Sequence, residues 1–103
     1  KSAVWPNKGG TMPKVIEPKT TYIDDRQVPL NELQAMVGGL IQLVNVQTDD
    51  GETHIIMDEE GKNKNKPINF EATDIWFPGE SVLKVPDYIV GDAVVLTDKA
   101  LLE

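Results

Sequence analysis

The chain has 103 residues, of which 40% are hydrophobic and 26% charged, with a net charge of −7 and no cysteine. This balance predicts one globular domain and excludes a wholly disordered chain, a collagen-like chain, a coiled coil and any disulfide or thiolate-metal chemistry. No apolar run approaches the roughly 20 residues that cross a bilayer, and no signal segment opens the sequence, so we expect a soluble, cytoplasmic protein.

The charge is unevenly distributed along the chain. Residues 1–22 contain four lysines and one glutamate, whereas residues 23–103 contain 6 basic and 16 acidic side chains, a net charge of −10. A surface of that sign repels phosphate groups, so we expect neither nucleic-acid binding nor attachment to a membrane.

The first part of the sequence predicts a tail and two weak strands. Residues 1–11 combine proline, two glycines and lysines, which predicts a flexible N-terminal extension, either native or introduced by cloning. Residues 12–103 then form the single globular domain. Short β-prone runs within it lie at 14–17 and 20–24.

A helix is predicted over residues 29–37, because its apolar residues recur at spacings of three and four. Pro29 fits the first turn of a helix, and Gly38 and Gly39 fit its end, where a left-handed residue is favoured. A helix of this length is not stable alone, so its apolar stripe must lie on a sheet.

The middle of the chain predicts a β-hairpin. Residues 40–46 and 53–57 are the strands, and the Asp50-Gly51 dipeptide between them favours a tight turn. Residues 58–61 turn the chain again, and a polar loop follows at 62–67.

The second half of the chain predicts one more helix and one more strand. Asn69 is placed to cap a short helix that reaches Trp76. Residues 88–97 form a strand with a bulge or kink at Gly91-Asp92, and Asp98 caps a terminal turn. The sum is an α+β fold: a small mixed or antiparallel sheet of four to five strands, with one main helix packed on a face and a second short helix.

Several short motifs occur in a fixed order. They are Ile16-Glu17-Pro18, the helix end Leu33–Gly39, the turn Asp58–Lys62, the segment Pro67–Thr73 and the run Ile89–Asp92. Together they resemble a family of small domains of unknown function, common in tailed bacteriophages and bacterial mobile elements, over roughly residues 13–97. The resemblance implies an origin and a fold but no activity. Two departures from its pattern are Asp58, where asparagine is frequent, and a longer loop that carries Lys64 and Lys66.

Three adjacent carboxylates, on Asp58, Glu59 and Glu60, could hold a divalent cation, since oxygen atoms are the ligands that calcium and magnesium prefer. Their spacing does not match the calcium-binding loop, and three lysines follow. The sequence therefore favours a solvated turn over a metal site.

Two further groups of polar residues could bind an anion. Lys62, Lys64 and Lys66 could donate to phosphate oxygens, although a solvated loop is the favoured interpretation. Asn69 and Thr73 could receive an anion at a helix start, although a simple helix cap is favoured.

The remaining candidate residues show no pattern that is typical of a catalytic site. Trp76 and Phe77 are either core residues or an exposed contact patch. His54 is the only histidine and is predicted to lie at the surface or rim of the hairpin, on the same side as Ile56. No catalytic or phosphate-binding motif is present.

We therefore expect a non-enzymatic accessory protein of phage or mobile-element origin, which needs no cofactor and binds a host protein. An alternative is a domain that binds a nucleotide-like ligand between residues 58–66 and the helix start at Asn69. A third alternative is a hydrolase that uses a divalent metal. The oligomeric state is left open, with a dimer as one option. The partner or ligand is expected to contact Asp58, Glu59, Glu60, Lys62, Lys64, Asn69, Thr73 and Trp76.

Overall fold

A four-stranded mixed sheet is the centre of the computed structural model, which describes residues 17–102. Across the sheet the strand order is β1-β4-β3-β2, with β1 parallel to β4 and the other neighbours antiparallel. Two α-helices and a short 3-10 helix complete the fold, which confirms the predicted α+β class. The elements in chain order are β1 (Thr20–Ile23), α1 (Leu30–Val37), β2 (Ile41–Thr48), β3 (Gly51–Asp58), α2 (Phe70–Trp76), β4 (Ala93–Thr97) and the 3-10 helix (Asp98–Ala100).

Helix α1 covers one face of the sheet. Successive side chains of a strand point to opposite faces, so Ile56 of β3 and Leu96 of β4 lie on the same side. Both are fully buried and belong to one core cluster with Leu33 and Val37 of α1. Leu33 and Val37 of the predicted apolar stripe therefore pack on the sheet as expected, whereas Leu30, the first residue of that stripe, is 57% exposed.

Helix α2 covers the opposite face. Ile55 of β3 and Ala93 of β4 point away from α1 and pack in a second cluster with Ala72 of α2. Ile89, from the segment before β4, is fully buried in the same cluster. The molecule thus has three layers, and the sheet separates two small cores.

The predicted ends of α1 are confirmed. Pro29 precedes its first residue, and Gly38 follows its last with a φ of +86°, in the left-handed region that glycine adopts without steric cost. The Gly38 N–H donates to the Gln34 oxygen at 2.8 Å and closes the last turn.

The hairpin of β2 and β3 is also confirmed. Its register runs without interruption from the Ile41–Asp58 pair to the Thr48–Gly51 pair. Gly51 has a φ of +119°, which explains why the tight turn needs glycine at this position.

The predicted strand over residues 88–97 is wrong in its first half, because β4 begins only at Ala93. Val90 makes a single isolated bridge to Ile68, and Gly91 has a φ of +76°, which turns the chain out of strand geometry. The role predicted for Asp98 is also wrong. Thr97 precedes the 3-10 helix, Asp98 is its first residue with a φ of +54°, and no side chain caps it.

Some sequence predictions fall outside residues 17–102, namely the N-terminal extension and residues 14–16 of the β-prone run at 14–17. Within the described range, neither helix is long and apolar enough to span a bilayer.

Candidate functional site

Asp58, the last residue of β3, has a fully buried side chain beneath the loop that follows it. Its Oδ2 accepts hydrogen bonds from Lys64 Nζ at 2.7 Å and from Lys66 Nζ at 2.8 Å, and its Oδ1 accepts from the Glu60 backbone N–H at 2.9 Å. Burial by itself would raise the pKa of Asp58, but these hydrogen bonds outweigh it and hold the pKa well below its usual range.

The same two lysines also cap helix α1. Lys64 Nζ donates to the Gly38 oxygen at 3.1 Å, and Lys66 Nζ donates to the Val37 oxygen at 2.8 Å. A cation at a helix C-terminus satisfies carbonyls that have no partner in the helix and interacts favourably with the helix dipole. The two ammonium groups therefore join the end of β3 to the end of α1.

The expectation of a solvated turn and loop is confirmed for the exposed residues 59, 60 and 62–65 but is wrong for Asp58. The Asp58 carboxylate is buried, and the ammonium groups of Lys64 and Lys66 fold back onto it. Asp58 and the loop that carries Lys64 and Lys66 are thus partners in one ionic cluster. The sequence shows each of them, but their pairing depends on the path of the turn between them.

Glu59 and Glu60 are exposed, unlike their neighbour Asp58. Across residues 17–102 no group of three or more histidine, aspartate or glutamate side chains is placed to hold a metal ion.

Lys62 lies apart from the other two lysines. Its Nζ contacts Asp87 Oδ1 and sits 4.3 Å from the centre of the Tyr88 ring, in cation–π geometry. Lys62, Asp58, Glu59 and Trp76 are among the residues that line a cavity of about 60 Å³, which is the volume of about two water molecules. Four of the eight predicted residues therefore meet at one small cavity, and binding of a nucleotide-like ligand stays a prediction.

Asn69 and Thr73 lie at the start of α2, where the Asn69 cap is confirmed. Asn69 is 2% exposed; its Oδ1 accepts from the Ala72 N–H at 2.9 Å, and its Nδ2 donates to the Gly91 oxygen at 3.0 Å. Thr73 Oγ1 donates to the Asn69 oxygen at 2.8 Å and accepts from the Ile89 N–H at 2.9 Å. Their polar atoms thus hold the segment before β4 against α2, and ligand binding there stays a prediction.

Trp76 is partly buried and packs against the core cluster on the α2 side of the sheet. Its ring stacks on Phe77, with 4.7 Å between ring centres. The sequence left open whether Trp76 is a core residue or part of an exposed contact patch, and a core position fits it better.

His54 lies on the predicted face of β3, in register between the neighbouring strands, but it is only 5% exposed, so the surface or rim position is wrong. Its Nδ1 accepts from the Leu102 N–H at 3.0 Å, and its Nε2 lies 3.1 Å from Glu52 Oε2. The residues that follow β4 cover this histidine, and no local pattern in the sequence indicates that contact.

One surface, the outer edge of β2, was not predicted from the sequence. In the described part of the chain β2 is the last strand of the sheet, so one side of its backbone pairs with β3 and the other side with no strand. The eight residues Ile41–Thr48 contain no charged residue and no proline. That composition is visible in the sequence, but it gains meaning only once the strand order is known.

The family model of a domain of unknown function, DUF3846, matches residues 13–100. The chain belongs to the DUF3846 family. No curated protein and no solved structure matches this DUF3846 chain. Residues from its sequence motifs, among them Gly38, Asp58, Asn69 and Gly91, make the contacts between loops described above.

Proposed function

We propose that this DUF3846 domain is a non-enzymatic protein-binding module of a bacteriophage or bacterial mobile element. It binds a host protein in the bacterial cytoplasm, and the bound protein adds one strand to the outer edge of β2. The resemblance noted in the sequence supports the origin. The unprotected edge of β2 is the observation that supports the binding mode.

An edge strand presents unpaired backbone N–H and C=O groups, which are a template for another strand. Folded proteins usually guard such edges with charged side chains, proline, bulges or very short strands. β2 has none of these protections: it is eight residues long, uncharged, free of proline, and in unbroken register with β3. An edge of this kind suits recognition by strand addition, in which main-chain hydrogen bonds supply affinity.

The opposite edge of the sheet offers a contrast. β1 has only four residues and is followed directly by Asp24, Asp25 and Arg26. Its Tyr22 hydroxyl donates to Glu71 of α2, which ties the strand to the neighbouring layer. β1 is therefore a guarded edge in the described structure, and β2 is the better candidate for binding.

Exposed apolar side chains next to β2 supply contacts for a bound strand. Leu43, in the middle of β2, is 41% exposed, and Leu40, just before the strand, is 59% exposed. Alternate side chains of an added strand would lie beside Leu43 on one face of the extended sheet.

Selection of peptides from a random display library tests this proposal. Selected peptides are expected to bind the full chain and to slow amide hydrogen exchange in β2. The double variant Leu43→Lys/Gln47→Lys guards the edge with charge and should abolish binding while circular dichroism stays unchanged. Leu83→Lys is the matched control, because Leu83 is 91% exposed on the loop between α2 and β4. Binding that survives the double variant would contradict the proposal.

A further inference from the structure

We infer that the strand accepted by β2 carries a tryptophan or tyrosine whose ring enters a cavity between the end of α2 and the second half of β2. This inference rests on the proposed function and names the residue by which the partner is recognised. It starts from the position and lining of that cavity.

The cavity lies where the end of α2 approaches β2. Its volume is about 350 Å³, which is within the range of sites that hold small ligands. Its apolar wall is formed by Val46 of β2, Ile75 and Trp76 of α2, and Pro78. None of the residues that line it belongs to β3, so it opens beside β2 and not over the middle of the sheet. The cavity is therefore continuous with the edge at which a strand would be added.

Strand geometry directs the side chains of a partner to this cavity. Val46 pairs with Thr53 of β3 and packs in the core cluster on the α2 side of the sheet. In a strand added beyond β2, the residue opposite Val46 points to the same side, with its Cβ about 5 Å from that of Val46. Its side chain therefore enters the space between β2 and Trp76.

The wall of the cavity is held by aromatic packing and by the turn that follows α2. The Trp76 ring stacks on Phe77, with 4.7 Å between ring centres. The Gly79 N–H donates to Asp74 Oδ1 at 3.1 Å and closes the turn that contains Pro78. An aromatic ring from a partner suits this wall, because contact between two rings stabilises beyond the area that it buries.

The side of the cavity next to the hairpin turn is polar. Thr48, Asp49 and Asp50 line it there, and both aspartates are exposed. Carboxylates accept hydrogen bonds, whereas an indole N–H or a phenol O–H donates one. Tryptophan and tyrosine combine an apolar ring with such a donor, so they fit this cavity better than phenylalanine or an aliphatic side chain.

A second copy of the chain cannot supply this ring through β2 itself. The eight residues Ile41–Thr48 contain no aromatic residue. Pairing of β2 with β2 of another copy would therefore bring at most an aliphatic side chain to the cavity. A partner strand with a large ring opposite Val46 buries more apolar surface there, and it is the occupant that we infer.

Two fluorescein-labelled peptides test the inference by fluorescence anisotropy with the full chain. Both have the same nine-residue core of alternating threonine and valine, and the central residue is tryptophan in one and alanine in the other. The tryptophan peptide is expected to bind about tenfold more tightly. Its ring current should also shift the methyl resonances of Val46 and Ile75, whereas the alanine peptide should produce no comparable shift. Leu30, exposed on α1 at the opposite face, should keep its methyl resonances with both peptides.

Two variants locate the effect on the protein. Trp76→Leu should weaken binding of the tryptophan peptide about tenfold and leave the alanine peptide unaffected. Phe77→Leu is the matched control, because Phe77 is also aromatic and partly buried but does not line the cavity. An equal loss in the two variants would overturn the assignment to the cavity. If Trp76→Leu does not fold, unshifted methyl resonances of Val46 and Ile75 in the native chain would overturn it instead.

The remaining outcomes separate this inference from the proposed function. Equal affinity for both peptides, with slowed amide exchange in β2, would overturn the inference and leave strand addition standing. No binding by either peptide, or binding that leaves amide exchange in β2 unchanged, would overturn both. A full chain that sediments as a dimer and becomes monomeric in Leu43→Lys/Gln47→Lys would identify a second copy as the occupant of the edge. A tenfold tighter binding of the tryptophan peptide to the full chain with Trp5→Ala would identify Trp5 of the chain itself as the occupant of the cavity. Each of these last two results would also overturn the inference.

Discussion

Lys66 Nζ lies 2.8 Å from Asp58 Oδ2 and donates to the Val37 oxygen at the same distance, so one ammonium group joins β3 to the end of α1. The Lys66 side chain is 24% exposed, whereas the Asp58 side chain is fully buried. The pair therefore lies at the boundary between solvent and core. Loss of the opposite charge would cost much free energy of folding for the buried Asp58, whereas solvent would partly screen the charge left on Lys66.

Asp58→Asn is expected to lower the free energy of unfolding by about 2 kcal/mol, because it leaves two cations without a countercharge beside the core. This loss of unfolding free energy is smaller than is usual for a buried ion pair, because both lysines keep some solvent contact. Urea unfolding measures it. Asp87→Asn breaks the exposed pair with Lys62 and should cost less than about 1 kcal/mol. Equal losses in the two variants would contradict the structural role of Asp58.

The acid stability of the domain should depend on Asp58. Its pKa is lowered in the folded chain, so the stabilisation is fully present above the ordinary aspartate pKa of about 4 and is lost as pH falls below it. The difference in unfolding free energy between the native chain and Asp58→Asn should therefore be constant from pH 7 to about 5 and shrink below about 4. A gap that stays constant down to pH 2.5 would rule out this linkage.

Gly39→Ala is expected to disturb the same cluster through space. A Cβ at Gly39 would lie 2.8 Å from Lys64 Nζ and 2.9 Å from Asp58 Oδ1, so the lysine must move and weaken its bond to the carboxylate. We expect a loss of about 2 kcal/mol by thermal unfolding. In a Lys64→Ala background the loss should be smaller, because the contact with Lys64 Nζ is gone while the contact with Asp58 Oδ1 remains.

Gly79→Ala is the control for this prediction. Gly79 has a φ of +78° and open space around its Cα, so alanine there should cost only the backbone strain of about 1 kcal/mol. That cost should not change in the Lys64→Ala background. If the loss of stability from Gly39→Ala is also the same with and without Lys64, the contact with Lys64 is not its cause.

Asn69→Ala should lower stability by about 3 kcal/mol. It removes the cap of α2 and leaves the buried Gly91 oxygen without the amide that donates to it. Urea unfolding followed by circular dichroism measures the loss. Ser81→Ala removes an exposed hydroxyl that accepts from the Leu83 N–H and should cost less than about 0.5 kcal/mol. A similarly small loss for Asn69→Ala would favour the predicted ligand-binding role over the structural one.

Tyr22 offers a spectroscopic check on the contact between β1 and α2. Desolvation, with the hydrogen bond to Glu71 and the charge of that carboxylate, raises the pKa of Tyr22 to about 12. Ultraviolet titration should show this high pKa, and Glu71→Gln should move it toward the ordinary value of about 10. The folded state should lose this contribution only above about pH 10. An unchanged titration in Glu71→Gln would show that the contact is absent in solution.

Local signals in the sequence predicted much of the fold. Gly38 needs a left-handed φ, the Asp50-Gly51 turn needs glycine for the same reason, and Asn69 caps the helix that follows it. Each of these signals acts over a few residues, so its structural meaning does not depend on the rest of the chain.

The contacts that form the candidate site join residues that lie far apart in the sequence. Asp58 is buried because a loop returns its lysines to the end of α1, more than 20 residues earlier in the chain. His54 is buried because Leu102 reaches it from beyond β4. Likewise, β2 becomes an edge only through the parallel pairing of β1 with β4 at the other side of the sheet. Patterns of single residues carry no record of such pairings.

The uninterrupted register of the hairpin separates the contacts between loops from the exposed edge strand. The contacts of Asp58, its lysines and Asn69 lie at the ends of the strands, whereas Leu43 and Gln47 are exposed in the middle and near the end of β2. Their side chains can change without disturbing Asp58, its lysines or Asn69. Substitutions at these edge positions therefore leave the proposed binding surface open to redesign on an unchanged scaffold.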